Sequence, residues 1–216
     1  KKRGKKREGV GGKGRGTAKK RYMLNVVDEE DSTFEEPKLK IMGMQAVKSS
    51  TPEVCRGKIK QAIKLIMTQD EGTLQKFIAD FKTEFYSMSA EQISFPRSCN
   101  HLNKYKHVSN IFIKCTPIHV KGALIYNHQL QQFKLHRKYP LIQEGDKIKF
   151  LKLIEANPFK FDVISYVTKL PSEFKLQEYI DYDIMFQKTF LDPMSFILNS
   201  IGWSYEKKAS LENFFV

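Results

Sequence analysis

Tyr22, Leu24 and Val26 alternate with Arg21, Met23 and Asn25, a period of two that predicts a strand over residues 18–27. Residues 38–45 give a second strand. The acidic run Asp28 to Glu36, ended by Pro37, is expected to be the turn, so 18–45 reads as a hairpin. From Val54 the period changes: Val54, Ile59, Ala62, Ile63 and Ile66 form one apolar stripe, with Arg56, Lys60 and Lys64 elsewhere around the helix. Thr51-Pro52-Glu53 predicts its start, with Thr51 as N-cap and Pro52 at the first helical position. Asp70-Glu71-Gly72 ends it, and Leu74, Phe77, Ile78, Phe81 and Phe85 mark a second helix. Thr116-Pro117 repeats the start signal for a third helix running to about Gln131. Residues 90–115 are mixed, with Ile111-Phe112-Ile113 strand-like. Leu141 to Ile154 predicts a hairpin about Glu144-Gly145-Asp146, and Phe161 to Val167 a further strand. Ser172 to Ser200 is helical in pattern, with a break at Asp192-Pro193. No internal repeat is present. Helices mixed with short strands predict an α+β fold, a hairpin followed by a largely helical part.

Composition sharpens this picture. The 216 residues carry 37 Lys+Arg against 24 Asp+Glu, a formal net charge of +13. Eleven of those cations and a single glutamate lie in residues 1–22, so the rest of the chain is nearly neutral. Six of the 12 glycines share that stretch, which makes 1–17 a basic Gly-rich arm on an ordinary body. Lys1 to Arg7 is expected to be a solvated tail, because blocks of like charge repel. The chain does not begin with Met, and the arm has no apolar signal core, so it reads as the trailing end of something larger. A polyanionic partner, nucleic acid before membrane, fits the charge. Hydrophobic residues at 41% and aromatics at 12% exclude global disorder. Cys55, Cys99 and Cys115 are far apart, which argues against a disulfide framework.

Several chemistries find no support. Cys99-x-His101 and Cys115-x-x-x-His119 lack the CxxC spacing of a zinc site, and Asp28, Glu29, Glu30 and Asp31 have the look of a solvated acidic loop. GVGGKGRG lacks the Lys-Ser/Thr of a phosphate loop, and neither GxSxG nor HExxH occurs. Two positive signals remain. In Lys19-Lys20-Arg21-Tyr22, a strand would set Lys20 and Tyr22 on one side and Lys19 and Arg21 on the other. One lysine at the minor-groove edge would sense base-pair geometry without reading sequence, because every pair offers an acceptor there. Ser49, Ser50 and Thr51 lie where a helix begins, so free N–H groups and hydroxyls could seat a phosphate or simply cap the helix.

The segments GVGG, AKKRYMLNV, EEPKLKIMGMQ, KSSTPE, EGDKIKFLKL, NPF, MFQKTFLDP and the terminal KKASLENFF follow one another in this order. From about Gly9 to the end, the chain thereby resembles the C-terminal part of the family B replicative DNA polymerases of T-even-type bacteriophages. KGRGT at 13–17 departs from the family's Phe-Trp-containing sequence. The resemblance implies a palm hairpin over 18–45, a thumb over 46–205 and a sliding-clamp-binding tail over 206–216. It implies that Lys20 reaches the minor-groove edge of the terminal primer base, that Tyr22 contacts the primer backbone, and that Lys19 and Arg21 support the same strand. It places His119 and Lys121 in a DNA-contacting segment ahead of Gly122, with Lys121 standing where the family has an arginine. Leu211, Phe214 and Phe215 would form a three-pronged apolar plug for the clamp, with Lys208 in place of the usual glutamine; the bland alternative is a C-terminal strand docked on its own domain. The aspartates that hold two magnesium ions lie upstream in the family, so this chain is expected to hold no cofactor and to be inactive alone. It would work with primer-template DNA, with an upstream part bearing exonuclease, fingers and palm aspartates, and with the clamp, in the cytoplasm of an infected bacterium. It would be either the C-terminal subunit of a split polymerase or a piece of a longer reading frame. The alternatives are an independent basic nucleic-acid-binding protein and a clamp-binding accessory protein.

Overall fold

A computed structural model describes the backbone of residues 22–29 and 32–42, and residues 48–107 and 109–206 in full. The chain divides into two units, Lys1–Gly43 and Met44–Val216. In the first, β1 (Tyr22–Glu29) and β2 (Ser32–Met42) pair antiparallel, with Tyr22 opposite Met42 and Glu29 opposite Ser32. The acidic stretch expected as a turn is mostly strand. Between the pairs Val26–Lys38 and Asp28–Thr33 the register shifts, so residues 34–37 face the single position 27. Pro37, which has no N–H to give a ladder, falls in that bulge.

The second unit begins with α1 (Glu53–Thr68) and α2 (Glu71–Tyr86). Asp70 caps α2 by accepting from the Thr73 N–H at 2.7 Å, and these bonds hold its carboxyl below the usual range. Four of the five residues of the expected α2 stripe form its core face: Leu74, Ile78, Phe81 and Phe85 are buried, and Phe77 is half-buried. Phe81 and Phe85 meet Phe186 and Phe190 in one aromatic cluster, with Phe81–Phe190 centroids 4.9 Å apart and Phe85–Phe186 5.3 Å apart. Burial of each such ring contributes roughly 2–3 kcal/mol. Phe186 and Phe190 come from a helical run of three parts: α6 (Tyr182–Phe186), a wider π-turn over Gln187–Leu191, and α7 (Asp192–Ile201). The break expected at Asp192-Pro193 is therefore a widened turn. Pro193 is the second residue of α7, directly after the π-turn, a place where the helical run tolerates a residue without an N–H.

The remaining elements are short α3 (Ala90–Ile93), β3 (Phe95–Ser98), α4 (Leu102–Tyr105), β4 (Lys106–His107), β5 (Ile111–Phe112), the long α5 (Ile118–Gln132), β6 (Lys147–Lys152), β7 (Val163–Tyr166) and two single 3-10 turns, Ser172–Phe174 and Gln177–Tyr179, so the helical pattern expected from Ser172 is a continuous run only from Tyr182. β4 and β5 pair with each other. The order β3-β6-β7 makes an antiparallel three-stranded sheet. Helices with small antiparallel sheets give the expected α+β class. The hairpin expected over 141–154 does not form, because the Ile142 backbone is already satisfied. Asn127 of α5 donates to the Ile142 carbonyl and accepts from its N–H, both at 2.8 Å. β6 pairs instead with β3 and β7, and Gly145 (φ +84°) turns the chain into it. All of β7 is buried, and its Tyr166 hydroxyl meets Ser94 Oγ at 2.7 Å and donates to the Ala90 carbonyl at 3.1 Å.

Candidate nucleic-acid interface

Both Thr-Pro starts are offset by one residue from expectation. Pro52 and Pro117, with ψ of 143° and 141°, occupy the N-cap positions of α1 and α5. Their carbonyls accept the first helical bonds, from Arg56 and Lys121. The Thr116 hydroxyl is directed backwards, donating to the Ile113 carbonyl at 2.6 Å. Ahead of α1, Thr51 N–H donates to the Lys48 carbonyl at 3.1 Å and closes a tight turn. Ser49 is exposed on this turn, Ser50 half-buried and Thr51 buried.

β3 delivers a cation to this turn. Phe95 lies opposite Phe150 and Arg97 opposite Ile148, so alternation sets Phe95, Arg97, Phe150 and Lys152 on one face of the sheet. The Phe95 and Phe150 rings stack at 5.1 Å. Arg97 Nη1 makes only long contacts, 3.5 Å, to the Ser50 and Pro96 carbonyls. Among the described residues it has no carboxylate partner. Two hollows flank it. In one, of 410 Å³, it is joined by Ser49, Ser50, Ser98 and the exposed Lys147. In the other, of 330 Å³, Ser50, Thr51, Lys152 and Lys188 surround a floor that includes Phe95 and Phe150. No carboxylate lines either hollow among the described residues.

His119 belongs to the same neighbourhood. Its ring lies 6.3 Å from that of Phe150, and its carbonyl accepts from Ser165 Oγ at 2.9 Å. Burial, then the charge of Arg97, push its pKa below the ordinary histidine value. A histidine so placed is neutral at pH 7, so it can offer a ring N–H but no charge. Its folded pKa lies below its unfolded one. Native stability from this group is therefore present above about pH 6.5 and declines as pH falls from there towards the folded pKa. Arg97→Ala is expected to move the His119 midpoint part of the way back up, leaving the burial contribution in place. A proton NMR titration of the ring signals checks this, and an unmoved midpoint would show that Arg97 does not act on the ring.

Lys121 is not a free cation. Its Nζ is 2.6 Å from Asp162 Oδ1, and Lys152 Nζ is 2.7 Å from Asp162 Oδ2. Lys188 pairs with Asp192 at 2.9 Å across one helical turn. The structure thus brings Ser49, Ser50, Thr51 and His119 to Arg97, and links Lys121 to the same cleft through Asp162 and Lys152. Arg97, Lys147, Lys152 and Lys188 were not singled out from sequence. A lone arginine in a mixed stretch carries no pattern, and only strand pairing shows what it faces. Lys19, Lys20 and Arg21 lie outside the described residues, as do the arm 1–17 and the tail residues Leu211, Phe214 and Phe215; Tyr22 opens β1. Cys55 and Cys99 are buried, and burial pushes both thiols up to about 11. Among the described residues no three His, Cys, Asp or Glu side chains converge as metal ligands, and no helix is long and apolar enough to cross a membrane.

No family model matches the chain. It is similar to the DNA-directed DNA polymerase of Enterobacteria phage T4, 35% identical over 212 residues, which are 96% of this chain and 23% of that protein. It is similar also to the DNA-directed DNA polymerase of Escherichia phage RB69, 36% identical over 214 residues, 95% of this chain and 23% of that protein. The resemblance to polymerases of T-even-type phages, read from the ordered segments, is thus present along nearly the whole chain. The chain spans less than a quarter of the length of these curated relatives.

Proposed function

We propose that this chain is the C-terminal part of a phage replicative DNA polymerase, which grips primer-template duplex and tethers it to a sliding clamp while the bond-making centre lies on other sequence. The similarity to two phage polymerases over 95–96% of the chain carries this reading. The cationic cleft around Arg97, which no carboxylate lines among the described residues, supports it from the side of geometry. In this reading residues 18–45 are the last hairpin of the palm, 46–205 the thumb, and 206–216 the clamp tail.

The grip follows from the chemistry of the cleft. Ser49 and Ser50 offer hydroxyls, and Arg97 offers a planar fork with no competing carboxylate among the described residues, a group suited to a phosphate diester. Lys147 and Lys188 add exposed charge at the rims of the two hollows. The Phe95–Phe150 face offers apolar surface beside those cations, on which a deoxyribose can rest. Neutral His119 supplies a donor. None of these groups reads a base, so the grip is indifferent to sequence. Lys20 and Tyr22 would add the minor-groove and backbone contacts at the primer end, with Lys19 and Arg21 supporting the same strand. The two magnesium ions of nucleotide transfer would be held by aspartates upstream, and this chain would contribute no step of the chemistry.

Arg97→Ala tests the grip. A charge-assisted bond to phosphate contributes about 1.5–3 kcal/mol, so binding of primed duplex should weaken roughly ten- to a hundredfold, equally for all sequences. The slope of log affinity against log salt should fall by about one unit. Fluorescence anisotropy across a salt series measures both. A chain that bound primed duplex no better than an unrelated basic protein, with Arg97→Ala unchanged, would end this assignment.

A further inference from the structure

Three elements converge on one carboxylate that the grip does not need. Lys121 comes from the first turn of α5, Lys152 from the end of β6, and Asp162 from the residue before β7. Each Asp162 oxygen takes one ammonium group, at 2.6 and 2.7 Å. The cluster lies between two hollows. Lys152 lines the 330 Å³ cleft with Arg97, while Lys121 and Asp162 line an adjoining 660 Å³ hollow with Lys160. All three side chains are partly open to solvent, 26% for Lys121, 24% for Lys152 and 38% for Asp162.

We propose that Asp162 is a built-in counter-ion that competes with the DNA backbone for Lys121 and Lys152, and so sets how tightly and how long duplex is held; this rests on the thumb reading given above. Two cations and one anion leave the cluster with a single net positive charge. A phosphate arriving at the cleft meets lysines that already have a partner and must displace a carboxylate to engage them fully. The exchange is close to balanced, because a half-exposed ion pair in water is weak and a phosphate oxygen offers the same kind of bond. Such a balance suits a surface along which duplex must slide. Burial raises the Asp162 carboxyl, but hydrogen bonds and charge from the two lysines outweigh this and bring it down to about 2. The counter-ion is therefore fully charged wherever DNA binds. Arg97 has no such partner among the described residues, so one constant contact stands beside two contested ones, Lys152 in the same hollow and Lys121 in the adjoining one; Lys188, in the Arg97 hollow, has its own partner in Asp192.

Asp162→Asn removes the competitor and keeps the shape. Measured with the full chain on a primed fluorescent duplex, it should tighten binding about tenfold at low salt, steepen the salt slope by about one unit and slow dissociation, and the gain should vanish at high salt. Weaker binding, or affinity and slope equal to wild type, would overturn the proposal and make Asp162 a support for the lysines. Lys121→Met gives an independent check that keeps the Lys152–Asp162 pair: the salt slope should fall by about one unit, and an unchanged slope would remove Lys121 from the contest. The thumb reading is judged separately. If wild type binds primed duplex and Arg97→Ala weakens it while Asp162→Asn does nothing, only the counter-ion role is lost.

Discussion

Gly122→Val is expected to cost unit 2 about 3 kcal/mol or more and to lower its melting temperature by roughly 6–12 °C. Gly122 lies in α5 where the helix crosses β7 closest. A Cβ at this position would lie 2.5 Å from Ser165 Oγ, 2.9 Å from Ser165 N and 3.0 Å from the Ile164 carbonyl carbon. The hydroxyl could rotate away only by giving up its bond to the His119 carbonyl, and the other two atoms are backbone of a fully buried strand. Alanine gains up to about 1 kcal/mol of helix propensity over glycine, but the strand must still shift, so Gly122→Ala should remain destabilising. Calorimetry distinguishes these effects. Adding Ser165→Ala to Gly122→Ala should recover only part of the loss, because the backbone contacts stay. Full recovery would mean that the hydroxyl alone requires the glycine. The proposed DNA binding should fall together with the folded fraction, since His119 and Lys121 are fixed by the same stretch of α5.

The other large effect concerns the tail. A peptide of residues 206–216 is expected to bind the phage sliding clamp, and Leu211→Ala with Phe214→Ala to abolish that binding. Leu211, Phe214 and Phe215, at i, i+3 and i+4, suit one helical turn pressed into an apolar groove. Buried interface anchors of this kind are worth about 2 kcal/mol each, so losing two of the three should weaken binding by several hundredfold. Isothermal titration of the peptide with the clamp measures this directly. The full chain carrying the same two changes should keep its melting temperature and its affinity for primed duplex. A lower melting temperature with unchanged clamp binding would mean that these residues pack on their own domain instead.

The helices were legible because their apolar residues recur at three and four along the chain, and Leu74, Ile78, Phe81 and Phe85 form the buried face that this spacing requires. The acidic run carries no reliable turn signal: the backbones of Asp28 and Glu29 pair with Thr33 and Ser32 within the hairpin. Strand partners were not legible. Lys147–Lys152 has a clear strand pattern, but nothing local states that its neighbours are 95–98 and 163–166, or that Asn127 has taken the backbone of Ile142. The cleft suffers from the same limit. Ser49, Ser50 and Thr51 could be marked from their place before a helix, and His119 and Lys121 from the resemblance. Arg97 and Asp162 gain meaning only from what distant segments bring beside them.

That distance bears on the order in which the protein matures. Ser98 pairs with Lys147 across the whole of α4, β4, β5 and α5, and Arg97 reaches Ser50 from 47 positions away. Closing such long loops costs entropy before any contact repays it, so local helices are expected to form early and β3 to join β6 late. The guanidinium reaches its station only when that closure is complete. During refolding, the proposed capacity to hold duplex should therefore appear with the slowest phase, after helical signal has recovered.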